Sequence, residues 1–208
     1  MLPGMTHAQS KPGITGIVLA GGESARMGEP KQVLRFRGEP LVRHAAAAAL
    51  EHCASVIVVT GAIHRPIEDA LAGLPVEVVA NDDWREGIAA SIRTGVGAMQ
   101  ADAAACLLCL ADQPRVGAAE IGKLVDAWRL DPRLIAAAGY AGTLGVPAIF
   151  PAAYFGRLAD LRGNRGAWSL IATAPDVVVV DLPEAAVDLD TPEDVRRLED
   201  GAGTDSGC

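Results

Sequence analysis

Aromatic residues make up only 4% of the chain, and basic residues are outnumbered, 18 Lys and Arg against 26 Asp and Glu, for a formal net charge of −8. The shortage of cations excludes a nucleic-acid partner, because binding a polyanion requires a basic face that displaces its counterions. Any phosphate ligand must instead be small and neutralised locally, with a divalent metal. No run reaches the roughly 18 apolar residues that a membrane span needs. The opening MLPGMTHAQSKPG also lacks the apolar centre of a secretory signal. Both absences point to the cytoplasm. Cysteine is sparse, with Cys53, Cys106, Cys109 and Cys208, which fits a compartment where thiols stay reduced. Cys106-Leu107-Leu108-Cys109 has CxxC spacing but lies in an apolar run read as a strand. Residues three apart in a strand face opposite ways, so the two sulfurs cannot share a metal and are read as core-filling thiols.

What the chain does have is Ala, Val and Ile: half of its 208 residues are hydrophobic. That length supports one well-buried domain, expected over 13–200, whereas two halves would each have a poor core. The Gly, Ser, Thr and Pro-rich ends, 1–12 and 201–208, are expected to be disordered. Short apolar runs bounded by turn residues predict strands at Ile14–Ala20, Ser55–Thr60, Val76–Val79, Ala104–Leu110 and Leu134–Ala138. Helical patterns fall between them at Pro40–His52, Arg65–Ala72, Gly87–Met99 and Gly117–Trp128. This alternation predicts an α/β fold, a Rossmann-like doubly wound, mostly parallel sheet with helices on both faces in three αβα layers. Beyond Gly145 the pattern changes. Gly145–Phe150 and Val177–Asp181 read as strands and Ala152–Asp160 and Asn164–Thr173 as helices, adding a mixed or antiparallel edge. Val187 to Asp190 reads as a short strand leading into a last helix, with Thr191 as its N-cap and Pro192 in its first turn.

The strongest local signal follows the first strand, where Leu19-Ala20-Gly21-Gly22 is succeeded by Ser24, Arg26, Gly28 and Lys31. A buried strand that ends in glycines lets backbone N–H groups approach phosphate oxygens with no Cβ in the way, and Arg26 and Lys31 add charge. The loop lacks both the Gly-Lys-Ser/Thr ending of a P-loop and the third glycine of a dinucleotide fingerprint, so neither of those readings holds. Three more sites fall at predicted strand ends: Asn81 with Gly87 and Ser91, Leu110-Ala111-Asp112-Gln113-Pro114, and Asp188-Leu189-Asp190-Thr191-Pro192. Ligands of such sheets collect at the carboxyl ends of strands, where the strand order reverses. Mg²⁺ is held by one or two carboxylates plus phosphate oxygens and water, and Asp112 and Asp190 are the candidate pair. Asp188 shares a strand face with Asp190, so either can be the second ligand. His44, His52 and His64 have no metal-like spacing, while Trp84 lies close enough to Asn81 to line a pocket.

The segment from Leu19 to Lys31 matches the pattern LAGGxSxRMGxxK at every fixed position, and in this the chain resembles the MobA-like nucleotidyltransferases. Gly87 to Ser91, Leu110 to Pro114 and Asp188 to Pro192 look like that group's molybdenum cofactor cytidylyltransferase branch. The resemblance implies a nucleotide-diphospho-sugar transferase-like fold. It also implies an enzyme that uses CTP and Mg²⁺ to transfer CMP to the terminal phosphate of molybdopterin cofactor, releasing pyrophosphate. In family terms Leu19, Ala20, Gly21, Gly22, Ser24, Arg26 and Lys31 bind the nucleotide with Asn81 and Ser91, and Asp112 and Asp190 bind the metal. Arg26, Lys31 and Asp112 would carry the catalysis. Leu161 to Ala167 resembles the family's LxGDRGA stretch, with Asn164 in place of Asp, and its Arg162 and Arg165 are candidates to meet the acceptor phosphate. Two departures keep alternatives open. Ala20-Gly21-Gly22 is the form common in guanylyl enzymes, so GTP is an alternative to CTP; Gly145-Val146-Pro147 lacks the imidazole of many cytidylyl members, so a sugar-1-phosphate is an alternative acceptor. A molybdopterin carrier or insertion chaperone is the alternative outside enzymes. Under either reading a molybdoenzyme or its chaperone is the candidate protein partner.

Overall fold

Strand β1 (Ile14–Ala20) is buried along its whole length, as its unbroken apolar run requires, and lies inside the sheet between two parallel neighbours. The computed structural model describes residues 13–22 and 30–189, with Glu193, Asp194 and Arg196. From Pro30 the chain makes a 3-10 turn, Lys31–Val33, and a small antiparallel hairpin of β2 (Arg35–Phe36) and β3 (Glu39–Pro40). Two-residue strands carry no periodic signal, and none was expected here from sequence. Three strand and helix pairs follow: α1 (Leu41–His52) and β4 (Ser55–Thr60), α2 (Arg65–Leu71) and β5 (Glu77–Ala80), α3 (Ile88–Ala98) and β6 (Ala105–Leu110). Helix α4 (Ala118–Leu130) then leads to the hairpin of β7 (Ile135–Tyr140) and β8 (Thr143–Pro151). Short helices α5 (Phe155–Ala159) and α6 (Trp168–Ile171) precede β9 (Val177–Asp181).

Among the described residues seven strands form one sheet in the order β5-β4-β1-β6-β8-β7-β9. The chain steps from β1 outward to β4 and β5, then crosses back through α3 to β6 on the other side of β1. The order therefore reverses at β1, which places the crevice for a ligand at the carboxyl ends of β1 and β6. Register keeps those ends level: Leu19 pairs with Leu110, and the Ala111 N–H donates to the Leu19 carbonyl at 3.1 Å. β8 runs antiparallel to both β6 and β7, while β9 pairs parallel with β7, so the second half of the sheet is mixed. Ala141 and Gly142, both at positive φ, close the β7 to β8 turn, which suits the twist of a hairpin.

Two separate apolar clusters cover the two faces. One gathers Ala45, Ala49, Leu124 and Val125 of α1 and α4; the other gathers Ile92, Leu158 and Leu170 of α3, α5 and α6. Cys109 falls in the first and Cys106 in the second, the opposite-face arrangement expected of the CxxC run. Burial pushes the Cys106 thiol up to about 12 and the Cys109 thiol up as well. Small residues let the layers close: a Cβ on Gly95 of α3 would stand 2.5 Å from Ile17 Cγ2.

Two expected elements are corrected. Of the helix read over Asn164–Thr173, only Trp168–Ile171 is helical; Asn164 to Gly166 stay in a turn that packs beside Gly87. Val187 to Leu189 form no strand. They cross the strand ends instead of pairing along one, and the Leu189 N–H donates to the Asp112 carbonyl at 3.1 Å. Among the described residues no helix is long and apolar enough to cross a membrane.

Candidate active site

A cavity of about 570 Å³ opens at the carboxyl ends of β1 and β6, within the size range of small-molecule sites. Leu19, Gly21 and Gly22 form one wall and Leu110, Ala111 and Asp112 the floor beside it, with Lys31 reaching in from the 3-10 turn. Lys31 Nζ lies 2.5 Å from Asp112 Oδ2, and both side chains keep only about a fifth of their surface exposed (21% and 17%). Two residues proposed from sequence for phosphate and metal are thus brought into one ion pair. Gln32, buried beside Lys31, donates its Nε2 proton to the Gly22 carbonyl at 3.1 Å, which fixes the entry to the glycine segment. Sequence reasoning missed Gln32, since a lone Gln carries no spacing signal.

The opposite wall comes from the start of α3. Ser91, Gly87 and Ile88 line it, with Trp84 and Arg85 from the preceding 3-10 turn. The Arg85 guanidinium stacks 4.3 Å from the Trp84 ring centre, a cation held on an aromatic face. Trp84 therefore lines the pocket, as its place after Asn81 suggested, whereas Arg85 was not foreseen. Gly87 sits at φ 115°, a conformation that favours glycine, and a Cβ there would run into Asn164 and the Gly163 carbonyl. Gly21 approaches Ser91 so closely that a Cβ would stand 2.7 Å from its Oγ. Asn81 is buried behind Ser91 and bonds to it, without lining the cavity itself. Ala20 is likewise buried, in the core on the α1 and α4 side.

A strap joins this wall to the turn after α5. Glu86 takes Arg93 on both carboxylate oxygens, at 2.8 and 2.5 Å, and accepts the Gly163 N–H at 3.1 Å. Arg93 also donates to the Leu161 carbonyl at 2.8 Å. The Arg93 hydrogen bond, then that of Gly163, holds the Glu86 carboxyl down at about 2. Arg162 is spent on the Ala159 and Leu161 carbonyls, at 3.1 and 2.8 Å, and Arg165 is exposed. Neither lines the cavity. Instead a second, smaller apolar cavity of about 250 Å³ shares Leu19, Ile88 and Leu110 with the first and extends to Tyr140, Val146 and Trp168. Burial raises the Tyr140 phenol, and the charge of Asp188 adds to the shift.

Ser24, Arg26 and Asp190 lie outside the described residues. Asp188 is exposed, and Leu189 between it and Asp190 is the residue bonded to the Asp112 backbone. Among the described residues no group of three His, Cys, Asp or Glu side chains could hold a metal by itself. A single cavity-lining carboxylate suits a hard cation whose other ligands are phosphate oxygens, water and a second carboxylate. Asp112 meets that requirement. His64 bonds Thr60 at 2.7 Å and Glu68 at 3.1 Å, a bracket at the end of β4 away from the cavity.

Residues 16–178 match the model of the MobA-like NTP transferase domain. The chain is 28% identical over 207 residues to the purine catabolism protein PucB of Bacillus subtilis (strain 168), covering 89% of this chain and 97% of that protein. It is 24% identical over 183 residues to the molybdenum cofactor cytidylyltransferase of Escherichia coli (strain K12), covering 86% and 91%. With a probable molybdenum cofactor guanylyltransferase of Opitutus terrae it shares 35% identity over 117 residues, about half of each chain (56%). Among solved structures, Rv0371c of Mycobacterium tuberculosis H37Rv superposes with a TM-score of 0.78 at 31% identity, covering 90% of this chain and 98% of that one. A manganese complex of Rv0371c superposes at 0.73 with 29% identity, covering 89% and 97%.

Proposed function

The chain belongs to the MobA-like NTP transferase family and is a nucleotidyltransferase, and on that premise we propose that it transfers CMP from CTP to the terminal phosphate of molybdopterin cofactor, using Mg²⁺ and releasing pyrophosphate. The observation that carries the reading is the Lys31 and Asp112 pair on the wall of a cavity bounded by Gly21 and Gly22. In the transfer an acceptor phosphate oxygen attacks the α-phosphorus in line; that P–O bond forms as the bond to the bridging oxygen of pyrophosphate breaks. Phosphoryl-type chemistry of this kind needs positioning and charge neutralisation, not a protein nucleophile. Gly21 and Gly22 offer close backbone approach, and Arg26 and Lys31 draw the β and γ oxygens so that the leaving group accumulates charge at low cost. Asp112 and Asp190 would hold the divalent ion, which supplies charge neutralisation at the phosphates when bound. Lys31, which pairs with Asp112 on the cavity wall, would then be available to phosphate oxygens. The manganese-bound relative supports a divalent ion of this class.

GTP is the second reading for the donor. The Leu19-Ala20-Gly21-Gly22 form of the loop favours it, as does the guanylyltransferase relative. The test is a panel of the four NTPs with Mg²⁺ and molybdopterin cofactor, read as pyrophosphate release. Release with CTP is expected; preference for GTP would move the donor to the second reading, and no release with any nucleotide would overturn the proposal.

A further inference from the structure

The two ends of the Asn81 amide are used differently. Asn81 is 3% exposed, and its Oδ1 accepts the Asp83 backbone N–H at 3.1 Å. A backbone N–H can only donate, so this contact decides which end of the amide is oxygen. Nδ2 therefore faces Ser91 Oγ, 3.1 Å away, and donates to it. With one lone pair of its oxygen taken by that proton, the Ser91 hydroxyl still has its own proton to place, and among the described residues it makes no other hydrogen bond. Ser91 lines the cavity, and Gly21 is the close approach that leaves the hydroxyl room there.

We infer that Asn81 is a positioning residue that sets the polarity of Ser91, so that the hydroxyl enters the cavity as a hydrogen-bond donor and selects a ligand atom that accepts. The inference rests on the nucleotide-binding reading of this cavity. The partner atom is a carbonyl oxygen or ring nitrogen of the base, a sugar oxygen, or a phosphate oxygen. An exocyclic amino group placed there can meet the remaining lone pair of the oxygen but leaves the hydroxyl proton without an acceptor.

The test compares wild type, N81D, S91A and the double variant for binding of CTP, GTP and inorganic tripolyphosphate with Mg²⁺, by calorimetry at pH 8. In N81D the new carboxylate still accepts the Asp83 N–H but can no longer donate, and it draws the Ser91 proton to itself. At pH 8 N81D should weaken nucleotide binding about tenfold, the ratio that one net hydrogen bond produces. S91A should weaken it by a similar factor, and the double variant should be no weaker than S91A alone, since Asn81 acts only through Ser91. A purely structural role for Asn81 would make the double variant weaker than S91A, because the damage would not pass through the Ser91 hydroxyl.

Loss with CTP or GTP but not with tripolyphosphate assigns the acceptor to the nucleoside, and loss with all three assigns it to phosphate; either supports the inference. Additive losses or N81D binding like wild type overturn it. If N81D does not fold, S91A alone decides, because unchanged binding in S91A overturns the inference with Asn81 intact. Wild type that binds none of the three overturns the nucleotide reading itself, a result distinct from wild type that binds while the variants fail the pattern.

Discussion

Lys31 and Asp112 neutralise one another on the cavity wall, and a ligand that brings both phosphates and a cation offers each a stronger partner. On the proposed reading, that exchange would let an acidic chain hold a triphosphate without a basic face. Removing the carboxylate should therefore cost chemistry more than folding. For Asp112→Ala we expect pyrophosphate release to fall by at least about 10²-fold, the scale on which one preorganised charge contact acts. The partly exposed side chain should leave the melting curve close to wild type. Steady-state kinetics beside thermal denaturation checks both, and delivery of cofactor that survives the change unaltered would favour a carrier instead.

At the scale of elements, the strap from Glu86 and Arg93 to Leu161 and Gly163 fastens the turn after α5 to the start of α3. The same turn leads into Ala167 and Trp168, which line the second cavity. One loop thus joins the walls of both. The Glu86 carboxyl is held at about 2, well below the ordinary carboxylate range. A depressed carboxyl pKa contributes stability that is complete above the unfolded value and is lost as pH falls through the folded one. Local opening of residues 161–167 is therefore expected between about pH 4.5 and pH 2, seen as loss of amide protection. Glu86→Gln should produce the same opening at neutral pH; protection that persists in the variant would show that the strap does not hold the turn.

For the whole molecule, binding at the crevice between the two halves of the sheet should be visible as stability. A ligand at 100 times its dissociation constant adds about 2.7 kcal/mol, which for a chain of this size raises the melting temperature by about 5–10 °C. A thermal scan of the protein with Mg²⁺ and each NTP in turn checks this, and the nucleotide giving the largest rise is expected to be the substrate. No rise with any of them would argue against a nucleotide site.

The elements were legible where the pattern was local. Ile14–Ala20, Ser55–Thr60 and Val177–Asp181 have the same bounds in the sequence reading and in the structure, because short apolar runs between turn residues state where a strand begins and ends. The opposed faces of Cys106 and Cys109 followed from strand periodicity alone. The candidate site was legible as a set of strand ends, and Gly21, Gly22, Lys31, Ser91 and Asp112 do line one cavity. What lay beyond local pattern was which groups meet and which face away. The insertion of β8 between β6 and β7, the pairing of Lys31 with Asp112, the retreat of Asn81 behind Ser91 and the capture of Arg162 by carbonyls of its own turn were all decided by the packed sheet. Periodicity and turn chemistry act within a few residues and are written in the chain. Strand order and side-chain partnership depend on the competition among all the surfaces that folding buries, which no single segment records.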